Sequence, residues 1–119
     1  MDAQELSNEL CQFTGTEMYY KHGLNQKVCY TDGVRFFAQN AGGGAYWLLD
    51  ILATEPEILA QQASFAAITL IVALNMARIV VTDGDEKTVY TRQIDWTDCP
   101  DGEWYFYFIG GVILLRSEY

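Results

Sequence analysis

Residues 65–84 read FAAITLIVALNMARIVVTDG. β-Branched side chains crowd the run: Ile68, Thr69, Ile71 and Val72, then Ile79, Val80 and Val81. Such residues are stiff at χ1 and pack well on a pleated surface, so the run reads as strand. Asn75 and Arg78 interrupt it, and its uncharged part is shorter than the roughly 20 residues a membrane-spanning helix needs. Two buried strands joined by a tight turn near Leu74-Asn75-Met76 are therefore expected. Asp83-Gly84 is the strongest short hairpin signal, so a third strand should return after Asp83-Gly84-Asp85-Glu86. Thr88–Asp95 supplies it, with Val89, Thr91 and Gln93 alternating with Tyr90, Arg92 and Ile94. Asp98 to Gly102, containing Pro100, reads as a loop. Trp104–Ile109 and Val112–Arg116 read as a last hairpin about Gly110-Gly111.

Upstream the punctuation is helical. Asp2 and Glu5 have capping-box spacing before Leu6 and Leu10. Thr14 and Glu17 repeat that spacing, and Gly23 follows Lys21-His22, so a short helix is expected over residues 15–22. Lys27–Tyr30 is a short β-prone run. Asp32 is placed to cap a helix from Gly33 to about Asn40, closed by the glycines at 42–44. Ala45–Ala53 reads as a helix, and Thr54 and Glu57, with Pro56 between, open another turn that reaches Gln62. The expected architecture is α+β in one domain, residues 1–119. Helices of a half spanning 1–63 pack on one face of an antiparallel sheet of four to five strands, a meander spanning 64–119. Trp47, Leu48, Ile51, Leu70, Val72, Val80 and Leu114 should form its core.

The chain has 119 residues, half of them apolar, with Lys+Arg 7 against Asp+Glu 16 and a net charge of −9. It is long enough to bury a core without disulfides. The acidic balance argues against direct binding to nucleic acid or an anionic membrane, both of which need basic patches. Cys11, Cys29 and Cys99 are odd in number and contain no CxxC pair, unlike a secreted disulfide framework or a thioredoxin-like motif. The first residues, Met1-Asp2-Ala3-Gln4-Glu5, lack the basic and apolar regions of a signal peptide. A cytoplasmic protein is expected.

Five ordered segments carry a resemblance: Phe13-Thr14-Gly15-Thr16-Glu17, Tyr30-Thr31-Asp32-Gly33-Val34, Ala45-Tyr46-Trp47-Leu48-Leu49-Asp50, Val89-Tyr90-Thr91 and Ser117-Glu118-Tyr119. In that order they resemble a family of small, uncharacterised bacterial and plasmid-borne domains. The resemblance implies a stand-alone bacterial domain and brings no activity and no catalytic residue.

Chemistry-bearing groups are few. His22 is the only histidine; as a general base it would need an orienting carboxylate, Asp32 or Asp50, and Cys29 as nucleophile. A helix-terminal histidine is the plainer reading. Cys11, His22, Cys29 and Cys99 have the right chemistry for zinc but no ligand spacing, so no metal and no cofactor are expected. Ala41-Gly42-Gly43-Gly44-Ala45 precedes a helix but lacks the spacing of a phosphate-binding loop. Asp83, Asp85, Glu86, Asp95, Asp98, Asp101 and Glu103 crowd seven acids into 21 residues. They are solvated turns, or an acidic face for a basic partner. Tyr105 and Tyr107, on a strand dense in aromatics, should turn away from the core and present a partner or homodimer surface.

Three functions stand at this level. The first is a small acidic, non-enzymatic protein-binding module whose partner the residues do not name. The second is a nucleic-acid mimic that inhibits a DNA- or RNA-binding enzyme, for which a continuous carboxylate stripe would speak. The third is an enzyme built on His22 with Cys29 and Asp32 or Asp50, for which clustering in one cleft would speak.

Overall fold

A computed structural model describes all of residues 1–119. In chain order the elements are helix α1 (Ala3–Leu10), strands β1 (Tyr19–Lys21) and β2 (Cys29–Thr31), then helices α2 (Asp32–Asn40), α3 (Tyr46–Thr54) and α4 (Pro56–Leu59). Strands β3 (Phe65–Ala73), β4 (Met76–Asp83), β5 (Thr88–Ile94), β6 (Gly102–Ile109) and β7 (Val112–Leu115) follow, and a 3₁₀ turn over Arg116–Glu118 ends the chain. No helix is long and apolar enough to cross a membrane.

All strands join one sheet, ordered β1-β2-β7-β6-β3-β4-β5. Every neighbouring pair is antiparallel except β2 and β7, which run parallel through Cys29↔Val112 and Tyr30↔Ile113. The class is thus α+β, but the sheet has seven strands and is mixed. Five antiparallel strands do lie within residues 65–115, where four or five were expected, but they are not the meander expected: β6 pairs with β3 rather than with β5, which places β3 at their centre. The other two come from the half read as helical. An edge of β7 left bare would expose unpaired backbone groups. β2 covers it, with Cys29 N–H donating to the Gly111 carbonyl at 2.9 Å.

The segment expected as a helix over 15–22 is instead a loop followed by β1. Its cap residues are engaged elsewhere. The Thr16 hydroxyl accepts from Asp32 N–H and donates to the Met18 carbonyl, while Glu17 N–H donates to the Asp32 carboxylate. Tyr19 and Tyr20 are then free to pair as strand, which aromatic residues favour. Three further caps need correction. Thr31, not Asp32, caps α2, its hydroxyl accepting from Val34 N–H. α4 starts after Glu55 without a side-chain cap, because the Thr54 hydroxyl donates back to the Asp50 carbonyl at 2.6 Å. The Thr14–Glu17 box does not form. At α1 the Asp2 carboxylate accepts from Glu5 N–H at 2.8 Å, as the spacing predicts.

One buried cluster unites the layers. Leu6 of α1, Val34 and Phe37 of α2, Leu48, Leu49 and Leu52 of α3 and Ile58 of α4 meet alternate residues of the sheet. Those are Ala66, Ile68, Leu70 and Val72 of β3, Ile79 and Val81 of β4, Trp104, Phe106 and Phe108 of β6, and Ile113 and Leu115 of β7. The Phe37 ring packs edge-on to Phe106 at 5.0 Å and tilted against Trp104 at 5.7 Å. Leu48, Leu70 and Val72 are core as expected. Val80 and Leu114 are not: they face the other side, and Trp47 and Ile51 are only partly buried. In runs such as Ile79-Val80-Val81 and Ile113-Leu114-Leu115 both phases of the alternation are apolar, so the inward one is undefined by hydrophobicity alone.

Leu70 pairs with Ile79 on one side and Trp104 on the other and is fully buried. Leu70→Ala should therefore destabilise the fold by roughly 2–5 kcal/mol. Val80→Ala, on the opposite face, should cost less. Chemical denaturation midpoints compare the two, and equal losses would contradict the assigned phase.

Candidate functional site

The sequence candidates fall into separate environments. His22 follows β1 and is 95% removed from solvent, with 5% of its surface left. Its Nε2 lies 2.8 Å from Asp50 Oδ1 on α3. Its Nδ1 accepts from the backbone N–H groups of Leu24 and Asn25 at 3.1 and 3.3 Å. Two N–H donors on Nδ1 place the ring hydrogen on Nε2, where it is donated to Asp50. Both nitrogens are thus occupied: Nε2 donates to Asp50, and the one lone pair, on Nδ1, accepts from two backbone N–H groups. The pair ties the loop after β1 to α3, a link that Asn25 Nδ2 reinforces by donating to the Ala53 carbonyl at 2.9 Å.

Cys29 and Asp32 do not join it. Cys29 pairs with Lys21 in the sheet register, whereas His22, the next residue, donates its N–H to the Val28 carbonyl, so alternation puts the two side chains on opposite faces. Asp32 opens α2, where its carboxylate accepts from Glu17 N–H at 3.0 Å and from the Tyr20 hydroxyl at 2.8 Å. These contacts, the Glu17 N–H foremost, hold its carboxyl below the usual carboxylate range. Arg35 completes the group, its guanidinium donating to the Tyr20 oxygen and lying over that ring at 4.6 Å. The thiols are also dispersed. Cys11 is exposed, Cys29 half-buried and Cys99 buried, all free. Burial, aided by Asp98 and Asp101, pushes the Cys99 thiol up to about 12. No group of three or more metal-ligating side chains forms.

The glycine run holds an internal anion. Gly43 N–H donates to Asp98 Oδ2 at 2.7 Å, and a Cβ on Gly42, whose φ is 59°, would strike the same aspartate. The acids are likewise divided. Asp83 Oδ1 accepts from the N–H groups of Asp85 and Lys87 and shapes the β4–β5 turn that also holds Glu86. Asp95, Asp98 and Asp101 lie at the far end of β5, whose Thr88–Ile94 run separates the two groups by about 20 Å at 3.3 Å per residue. Arg92 lies between them. The acids form two clusters rather than a continuous stripe.

A residue that spacing did not single out, Glu118, organises the other end. Its Oε1 accepts from the Thr31 hydroxyl and from Leu115 N–H, and its Oε2 from Gly33 N–H at 3.2 Å. A carboxylate is thereby held at the first turn of α2, where helix N–H groups favour negative charge. Gly33 permits the approach, since a Cβ there would lie 2.5 Å from Leu115 and 2.8 Å from Glu118. Only the Ser117-Glu118-Tyr119 motif hinted at this residue, because its partners are 85 and 87 positions away.

Beside this junction the second face of the sheet is uncovered by helices. It presents Phe65, Ala67, Thr69, Val80, Tyr105, Tyr107, Ile109 and Leu114, in register across β3, β4, β6 and β7. Tyr107 packs against Phe65 at 5.1 Å and edge-on to Tyr119 at 5.3 Å. Arg116 lies 4.1 Å above the Tyr105 ring, whose hydroxyl donates to Glu103 at 2.8 Å. A cleft of about 410 Å³ lies at its margin, floored by Ile109, Val112 and Leu114 and walled by Tyr19 and Tyr119.

A family model described as a family of unknown function, DUF6876, matches residues 4–119. The chain belongs to this family. No curated protein and no solved structure matched it. Residues of four of the five quoted segments make such contacts: Thr16 and Glu17 with Asp32, Thr31 and Gly33 with Glu118, and Asp50 with His22, which lies outside the segments. Each of these contacts holds segments of this fold together.

Two measurements test these assignments. Asp32 is held below its ordinary value, so its stabilising effect is fully present above the carboxylate range and lost as pH falls through the folded value. Asp32→Ala should lower the melting temperature at neutral pH, and the gap to the native chain should close on acidification. A gap independent of pH would contradict the role. In native protein at neutral pH, iodoacetamide should alkylate Cys11 first, and Cys99 only after unfolding. Early labelling of Cys99, read by mass spectrometry, would contradict its placement.

Proposed function

We propose that this domain is a non-enzymatic, protein-binding module of the cytoplasm that uses the second face of its sheet. The observation that carries the reading is that face: Phe65, Tyr107 and Tyr119 in ring contact, with Ile109 and Leu114 beside them, Val80 farther along opposite Thr69, and no α-helix across them. Contiguous exposed apolar patches mark interaction sites. The engagement of His22, Asp32 and Asp50 in internal hydrogen bonds favours binding over catalysis. The division of the acids into two clusters gives no support to the nucleic-acid mimic. Three free thiols suit a reducing compartment.

The occupant we propose is a second copy of the chain. The ionised side chains on this face are of mixed sign: Lys21, Arg78 and Arg116 accompany Glu103. The acidic excess lies in the turns and loops, so two such faces can meet around an aromatic centre with polar groups at the rim. Sheet-on-sheet packing of this kind has a natural spacing of about 10 Å.

Sedimentation should show a dimer that strengthens with salt, because screening weakens the residual acidic repulsion more than apolar contact. Tyr107→Ser should shift it to monomer with unchanged circular dichroism. A monomer at low and high salt alike would overturn the reading.

A further inference from the structure

The β3–β4 turn is made by Leu74 and Asn75, both in the left-handed region at φ 54° and 60°. Two-residue hairpin turns of this hand prefer Asn-Gly, because positive φ is disfavoured for most residues bearing a Cβ. Leucine has neither the freedom of glycine nor the local hydrogen bonding of asparagine. The residue here is 86% exposed. The fold carries a strained leucine that buries almost nothing.

Met76 follows it, 46% exposed. Trp96, 68% exposed, is tied to the same tip by its neighbour: Thr97 N–H donates to the Asn75 carbonyl at 2.8 Å, and Asn75 Nδ2 donates to the Thr97 carbonyl at 3.2 Å. Leu74 thus stands in solvent at the end of the sheet between two further exposed apolar side chains, Met76 in phase with Arg78 and Val80 on the open side and Trp96 on the helix side, where it lines a cleft with Trp47 and Ile51. The segment running past them, residues 95–103, contains Asp95, Asp98, Asp101 and Glu103 and no lysine or arginine. Of the nearby cations, Arg92 lies 3.6 Å from Glu55, and Arg78 is the one basic residue of β4.

We propose that this tip is a docking surface for a basic amphipathic segment of another protein. Leu74, Met76 and Trp96 supply the apolar anchors. The carboxylates of Asp95 and Asp101 supply a rim for its lysines or arginines, beside Asp98, whose Oδ2 is held by Gly43 N–H. A second copy of this chain is a poor occupant, because it would bring two acidic rims together. The strain at Leu74 fits this use, since costly backbone conformations persist at binding sites. The surface lies beyond the aromatic band of the open sheet face and does not depend on the dimer proposed there.

The test is a fluorescence titration of the full chain with a synthetic amphipathic leucine–lysine peptide and with the leucine–glutamate peptide of the same pattern. The lysine peptide should bind, shift tryptophan emission and weaken as salt rises; the glutamate peptide should not bind. Leu74→Asn should weaken binding by about tenfold or more, as loss of an apolar anchor does. Its melting temperature should hold or rise, because asparagine tolerates the left-handed conformation. Trp96→Ser should remove the emission change and weaken binding with unaltered circular dichroism. Equal affinity of Leu74→Asn and the native chain would show attraction by charge alone and overturn the proposal. So would failure of the lysine peptide to bind, equal binding of the glutamate peptide, or a lowered melting temperature for Leu74→Asn. Sedimentation separates this surface from the sheet face: Leu74→Asn should associate as the native chain does, and Tyr107→Ser should keep the peptide affinity. Loss of self-association in Leu74→Asn would make the tip a self-contact and overturn the proposal.

Discussion

The Glu118 carboxylate at the start of α2 is the contact on which the arrangement of the two halves rests. It accepts from the Thr31 hydroxyl and Gly33 N–H in one half and from Leu115 N–H in the other. Thr31 ends β2 and caps α2, while Leu115 ends β7. One side chain therefore fixes the only parallel pairing in the sheet and the origin of the helix that carries Phe37 into the core. Hydrogen bonds to a charged acceptor are stronger than neutral ones. This one also offsets the unpaired N–H groups at the start of α2. The close approach requires glycine at position 33, where a side chain would displace Glu118 and Leu115 together.

The other polar groups follow the same economy. Asp32 gathers the loop before β1, His22 and Asp50 hold the loop after it, and Asp98 holds the glycine run. Each had chemistry that could serve a reaction. Each is instead spent on joining loops, and no buried side-chain nitrogen or oxygen is left without a partner. The surface is where the molecule departs from this thrift. The open sheet face leaves tyrosines half-buried, and the β3–β4 tip leaves a leucine strained and solvated. Those departures direct the functional reading toward protein contacts.

Some of this was legible in the residues alone. The β-branched run of 65–84, the Asp83-Gly84 turn and the glycine pair at 110–111 determine three hairpin connections by local chemistry. The Asp2 cap and the helices over 32–40 and 46–54 are likewise local. These features depend on backbone preference and on neighbours within a few positions, which is the range over which sequence acts directly. The acidic balance and the number of cysteines are also properties of composition, independent of how the chain folds.

What tertiary structure decided is everything that needed a distant partner. Thr14-Gly15-Thr16-Glu17 carries a local helix signal, yet Asp32 takes its donors and acceptors and the following tyrosines pair as strand. The inward phase of Ile79-Val80-Val81 was set by where Phe37 and the other helix residues lay, because all three residues are apolar and alternation within the run is silent. His22 could be paired with Asp32 or Asp50 on paper; the packing of α3 against the loop after β1 chose Asp50 and left Cys29 on the other face of the strand. Glu118 lies 85 residues from Gly33, and no periodicity spans that distance. Local chemistry determines elements and turns, whereas register, phase and the pairing of charges belong to the assembled sheet.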